Sequence, residues 1–206
     1  MLQLLDTVAT PTATPVVAPT TLPRFPAEHV AHTLVAAAPR HVPAITAIYR
    51  AQVESGLGSH EDPLPDAAEM GRRLADLTAR GLPAFVALDA RRQVRGFAWA
   101  TPFRFRAHYR HTVEDSVHVH PESHGRGVGE ALLRRLVDAC GERGLRQMVA
   151  VVGDARNRAS IGLHEKVGFQ ACGYFPGIGA RADGEPCDAV MLQRALGGAE
   201  EGPAQA

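Results

Sequence analysis

His118-Val-His-Pro-Glu-Ser-His-Gly-Arg-Gly-Val-Gly-Glu130 is the stretch on which the fold turns. Upstream of it, Val113 to Val119 reads as a short strand, because apolar and polar residues alternate. Downstream, Val128 to about Glu142 reads as an amphipathic helix that buries Val128, Leu132, Leu136 and Cys140, with Leu133 and Val137 beside them. Gly125, Gly127 and Gly129 lie at the junction and carry no Cβ, so backbone N–H groups there can approach an anion closely. The free N–H groups and the positive dipole end of the helix then hold the charge. Short glycine patterns also occur as plain tight turns. This segment alone leaves both readings open.

The flanking sequence alternates in the same way. Thr33 to Ala37 reads as a short strand and His41 to Ser55 as a helix with Val42, Ile45, Ile48, Tyr49 and Val53 on one face. A second helix starts after Asp66, with Glu69 three residues on as a capping box and Gly81 at its far end. Ala84 to Leu88 and Val94 to Phe103 read as a hairpin turning at Asp89 to Gln93, without the usual Asn-Gly. Gln147 to Val152 is a strand and Asn157 to Val167 a short helix ended by Gly168. Phe169 to Phe175 and Asp188 to Arg194 are closing strands. The order predicts a mixed α/β fold with a twisted sheet of six to seven strands and about four helices.

The chain has 206 residues, enough for one domain with tails, and 45% of them are apolar. Residues 1–30, rich in Thr, Ala, Pro and Val, read as a flexible extension. Residues 31–196 read as the domain and 197–206 as a disordered tail. Formal net charge is zero, so no global field favours nucleic acid or an anionic membrane, and neither is an expected partner. Three dispersed cysteines without a C-x-x-C fit a reducing compartment. No run reaches a membrane span, and no Lys or Arg precedes Arg24 as a secretory n-region would require. A cytoplasmic location is the expectation.

Glu114, Ser116, His118 and His120 share one face of the strand, and Val113, Asp115, Val117 and Val119 the other. A carboxylate at Glu114, beside an anion-binding loop, can serve as a general base if partial burial raises its pKa. A solvated strand-face Glu is the alternative. His108, His111, His118, His120 and His124 cluster without matching a zinc ligand set, so no metal is expected. Arg104, Arg106 and Arg110 interleave with Phe105 and Tyr109. They suit a grip on a small anionic group better than nucleic-acid contact, although a solvated loop would look the same.

At this point the chain resembles a known superfamily. Ser123-His-Gly-Arg-Gly-Val-Gly129 is similar to the pyrophosphate loop of the GNAT N-acetyltransferases, which bind acetyl-CoA. Asn157-Arg-Ala-Ser-Ile-Gly-Leu-His-Glu-Lys-Val-Gly-Phe169 is similar to their second hallmark, whose Asn and helix line the pantetheine arm. Two such motifs, in order and about thirty residues apart, are far more specific than either alone. Ala44-Ile-Thr-Ala-Ile-Tyr49, Ala68-Glu-Met70, Arg80-Gly-Leu-Pro83, Thr101-Pro-Phe-Arg-Phe-Arg106 and Tyr109-Arg-His-Thr-Val-Glu-Asp-Ser-Val117 resemble the phosphinothricin and methionine-sulfone acetyltransferase subfamily. The resemblance covers about residues 32–196.

The resemblance implies acetyl-CoA as co-substrate and the primary amine of a small amino acid or analogue as acceptor. Attack would be direct, in a ternary complex. It implies Glu114 as general base and His164 as a candidate proton donor to the CoA thiolate. Val117, His118, Val119, Gly125, Arg126, Gly127, Val128, Gly129, Glu130 and Asn157 fall on the cofactor side. Arg104, Arg106, Tyr109, Asp115 and Ser116 fall on the substrate side. Many relatives are dimers, so a homodimer is also implied. The chain departs from the pattern at His124, at His118 where Tyr is usual, at His60 where an aromatic is usual, and in 179–188. The backbone N–H cradle does not need the His124 side chain, so cofactor binding survives; the departures at His60, His118 and 179–188 flank the acceptor pocket. They keep open a protein or peptide acetyltransferase, or an acyl-CoA sensor without turnover.

Overall fold

The computed structural model describes residues 32–56, 61–181 and 183–197; His60 and the extensions at 1–30 and beyond 197 lie outside them. The described chain runs β1 (Thr33–Ala36), α1 (Val42–Glu54), α2 (Ala67–Ala79), β2 (Ala84–Leu88) and β3 (Val94–Pro102). It continues β4 (Thr112–Val119), α3 (Val128–Glu142), β5 (Gln147–Val152), α4 (Arg158–Lys166), β6 (Gln170–Ala180) and β7 (Pro186–Ala195). The seven strands form one sheet ordered β1-β2-β3-β4-β5-β7-β6. Only β4 and β5 pair in parallel, because α3 carries the chain back across the sheet between them. The expected mixed α/β sheet with four helices is what forms.

Helices cover both faces. Leu132, Leu133, Leu136 and Cys140 of α3 bury themselves against Ala98, Ala100, Val113, Met148 and Leu192 on one side. Ile45, Ile48 and Tyr49 of α1 and Met70, Leu74 and Leu77 of α2 pack on Val86, Phe97 and Trp99 on the other. Burying side chains of this size stabilises by about 1.5–3 kcal/mol each, so the two layers lock the sheet. At Gly96 in β3, a Cβ would meet the His118 carbonyl at 2.9 Å and Leu132 Cδ1 at 3.0 Å. The missing side chain is what lets α3 seat against this end of the sheet.

Two local expectations change, and a third, the β2–β3 hairpin, is met without its usual turn signal. At α2 only half of the capping box forms: Asp66 Oδ1 accepts from the Glu69 N–H at 2.7 Å, but the Glu69 carboxylate turns to Arg72 and Arg73. Two guanidinium partners outcompete one return bond to a backbone amide. The β2–β3 turn needs no Asn-Gly because Asp89 Oδ1 accepts from the Arg91 and Gln93 N–H groups, with Arg92 at φ 62. The last two strands are longer than expected. β6 runs on through Pro176 and Gly177 to Ala180, and β7 begins at Pro186.

Candidate active site

The register of β3 on β4 sorts the β4 side chains. Thr101 pairs with Glu114, Trp99 with Ser116 and Phe97 with His118. Phe97 and Trp99 face α1 and α2, and cross-strand partners share a face. Glu114, Ser116 and His118 therefore stand on the α1–α2 side. Ala100 pairs with Asp115 and Ala98 with Val117, facing α3 and α4.

β4 and β5 stay together only from Thr112–Gln147 to Glu114–Val149. Beyond that point β4 keeps its pairing with β3 to Val119, and β5 keeps its pairing with β7 to Val152. The sheet thus parts into a wedge whose inner walls carry backbone amides not paired across the gap. The wedge opens into a cleft of about 1210 Å³ that reaches both faces of β4. Small-molecule sites hold roughly 300–1,000 Å³, so this one has room for a long ligand and a second reactant.

The glycine loop closes one end of the cleft. Gly125 and Gly127 adopt φ 72 and 81, the left-handed region that a Cβ disfavours. Gly127 caps α3, and the first helical hydrogen bond runs from Ala131 N–H to Gly127 O at 3.0 Å. The N–H groups of Val128, Gly129 and Glu130 precede that bond, at the positive end of the dipole. A Cβ at Gly129 would crowd Leu163 Cδ2 at 3.2 Å and Val119 Cγ2 at 3.3 Å. The loop therefore suits a pyrophosphate by backbone geometry. The Glu130 carboxylate is drawn to Arg134 and Lys166, whose charges offset it near an anion site. Arg126 is exposed and does not line the cleft. Across the wedge, Asn157 caps α4, its Oδ1 accepting from the Ser160 N–H at 3.0 Å. It lines the cleft with Val117, His118 and Val119.

Glu114 is half-buried in the cleft. Burial, and then the charge of neighbouring Asp115, raise its pKa above the usual carboxylate value, while the Arg104 guanidinium opposes them. That is the condition a general base near neutrality needs.

Of the other expected substrate residues, Ser116 and Asp115 line the cleft. Asp115 turns its carboxylate away from the Glu114 face and meets His164, Oδ2 to Nε2 at 3.0 Å. His164 in turn places Nδ1 2.7 Å from the Ser160 carbonyl. Both ring nitrogens are thus engaged by protein groups, although His164 also lines the cleft. Arg104, Arg106 and Tyr109 do not line the cleft. Arg104 lies over the Phe103 ring, and Tyr109 meets the same ring edge-on. The preceding strand ends at Pro102, so these side chains ride on an irregular segment with its own aromatic packing.

Tyr49, Gln52, Arg73 and Trp99 line the cleft without having been singled out as site residues by the motifs. The Gln52 amide donates to the Val119 carbonyl at 3.1 Å, and His124 Nε2 lies 3.0 Å from the same oxygen. Arg73 is held by Glu61 and Glu69. Only Tyr49 carried a signal, the apolar spacing of α1, which marks a buried stripe but not which end of it meets a cleft; Gln52, Arg73 and Trp99 carried none. Among the described residues no group of three or more His, Cys, Asp or Glu could hold a metal. No described helix is long and apolar enough to cross a membrane.

The acetyltransferase (GNAT) family model matches residues 45–169. The chain is 43% identical to a phosphinothricin N-acetyltransferase of Alcaligenes faecalis, over 75% of this chain and 78% of that one. It is 34% identical to an L-methionine sulfoximine/L-methionine sulfone acetyltransferase of Pseudomonas aeruginosa, over 68% and 81%. Among solved structures, a phosphinothricin acetyltransferase from Sinorhizobium meliloti, in complex with AcCoA, superposes with TM-score 0.78 at 41% identity. That match covers 85% of this chain and 92% of that one.

Proposed function

The chain belongs to the acetyltransferase (GNAT) family and is an acetyl-CoA-dependent N-acetyltransferase; we propose that its acceptor is the primary amine of a small amino acid or analogue, such as phosphinothricin or methionine sulfone. The observation that carries this is Glu114, a half-buried carboxylate with a raised pKa, in a cleft that ends on a left-handed glycine loop.

Bound acetyl-CoA supplies an activated acetyl thioester. Its pyrophosphate is held by the N–H groups of residues 125–130, and its pantetheine arm by the backbone of Val117, His118 and Val119 and by Asn157. Glu114 takes a proton from the acceptor ammonium, directly or through one water, because only the free amine attacks. As the amine forms its C–N bond, a backbone N–H of β4 at the wedge holds the thioester oxygen. Collapse then breaks the C–S bond, CoA leaving as a thiolate that takes up the proton the attacking nitrogen sheds. Ser116 shares the Glu114 face and orients the acceptor. The cleft holds both reactants together, which lowers the entropic barrier without an acyl-enzyme. Arg104 and Arg106 act on the acceptor by charge from the rim. We place this activity in a domain of residues 31–196, in the cytoplasm, in a homodimer.

The test is CoA release from acetyl-CoA against a panel of phosphinothricin, methionine sulfone, methionine sulfoximine, free amino acids, polyamines and short peptides. Turnover on an amino-acid analogue is the expected result. Turnover on peptides alone would reassign the acceptor. Acetyl-CoA binding with silence across the panel would make the protein a sensor.

A further inference from the structure

His118 is the cleft residue that the chemistry above leaves without a side-chain role. Its ring stacks on Phe97 at 4.9 Å and 23° between planes, and meets Tyr49 edge-on at 5.0 Å. Among the described residues, neither ring nitrogen has a hydrogen-bond partner. Asp115 Oδ1 is the one sealed side-chain polar atom without a partner among those residues, so the His118 nitrogens are not sealed. The residue lines the cleft, on the face of Glu114 and Ser116. Burial pushes its pKa down to about 4, with no carboxylate to oppose it. At neutral pH the imidazole is uncharged and offers one N–H donor and one lone pair.

The cations that line the cleft are already paired. Among the described lining residues, Arg73 is paired with Glu61 and Glu69, and Lys166 with Glu130. An anionic group brought to the His118 wall would lose water without gaining an unmatched cation. A neutral oxygen or imine nitrogen loses less and finds a donor.

We propose, on the N-acetyltransferase reading above, that His118 is a specificity-determining residue. It hydrogen-bonds an uncharged polar group at the end of the acceptor side chain, such as a sulfone, sulfoximine or amide, and so favours these acceptors over an anionic phosphinate. Its placement between two aromatic rings fixes the imidazole plane, so the donor direction is set before the acceptor arrives.

The experiment measures kcat/KM for L-methionine sulfone and L-phosphinothricin in the wild type, His118→Phe and His118→Gln, with acetyl-CoA affinity as the control. Phe keeps a ring between Phe97 and Tyr49 but no donor; Gln restores a donor without the ring. The wild type should favour the sulfone by about tenfold or more. His118→Phe should lose that preference chiefly through KM, by roughly 10–100-fold. His118→Gln should recover part of it; acetyl-CoA affinity, read for each variant, separates a cofactor-side loss, which would weigh equally on both acceptors, from a loss of acceptor discrimination. Equal losses on the two acceptors, or a wild-type preference for phosphinothricin, would overturn the proposal. If His118→Phe does not fold, the wild-type ratio and His118→Gln decide alone. A wild type that acetylates neither compound but turns over another amino acid of the panel overturns this inference and leaves the N-acetyltransferase reading standing.

Discussion

His164 and Asp115 form a withdrawn pair on the back of β4, Nε2 to Oδ2 at 3.0 Å, with side chains 6% and 2% exposed. Burial opposes a charged imidazole. The hydrogen bond and charge of Asp115, with the Ser160 carbonyl, outweigh it, so the His164 pKa is raised above 6.5. A raised histidine stabilises the fold fully below its unfolded value and loses that contribution as pH climbs through the folded one. Melts between pH 6 and 9 should therefore show declining stability on the alkaline side. Asp115→Ala should cost about 3–5 kcal/mol, because it leaves a buried partner unmatched, and should flatten that decline. An unchanged slope in the variant would assign the pH dependence to another group.

Glu114 should write the acid limb of the rate profile. Its raised pKa moves the limb of kcat/KM above the ordinary carboxylate range, with rate rising as pH rises through it. Glu114→Gln should lose about 10²–10⁴-fold in turnover while binding acetyl-CoA as before. Full activity at neutral pH in that variant would remove Glu114 from the role.

Arg104 acts on Glu114 by charge from outside the cleft. Since its guanidinium lowers the Glu114 pKa, Arg104→Gln should shift the acid limb to higher pH and also lower the kcat/KM plateau, because the acceptor loses its rim charge. A limb that stays put would show that the rim charge is screened by solvent.

Gly127 caps α3 at φ 81. Gly127→Ala forces a Cβ into left-handed backbone at about 1–2 kcal/mol. If the loop relaxes to avoid that strain, the N–H groups turn off the pyrophosphate and acetyl-CoA affinity drops about 5–30-fold. Calorimetric titration with acetyl-CoA reads this directly; an unaltered affinity would place the pyrophosphate elsewhere.

Asp154 ties the wedge to the distal hairpin. Its buried carboxylate accepts from Arg156 and from Arg181 Nε at 2.8 Å, and these bonds hold its pKa far below the usual range. Its carbonyl accepts from the Asn157 N–H at 2.9 Å. Asp154→Ala should lower the melting temperature and raise KM for acetyl-CoA, with kcat little changed. A loss confined to kcat would contradict this.

The strand, glycine loop and helix from Val113 to Glu142 are legible in the sequence because each obeys one local rule: alternation, φ tolerance or helical spacing. The two family motifs add the cofactor side. The long β6 is not legible, because Pro176 and Gly177 read as a turn. As the edge strand, largely exposed, β6 tolerates a residue without an N–H to donate. The His164–Asp115 pairing spans 49 positions and leaves no periodic trace. The perch of Arg104 and Tyr109 on Phe103 is likewise a tertiary outcome, invisible to spacing.

The parting of β4 from β5 has one more consequence. The β4–β5 ladder is the unfinished one, and a ligand with amides along its length can serve as the missing rung-bearer. Loading the cleft would then zip the two halves of the sheet into one mechanical unit. Without that rung-bearer the hydrogen-bonded seam between the halves is three residue pairs long, and α3, packed across both, carries the rest of the coupling.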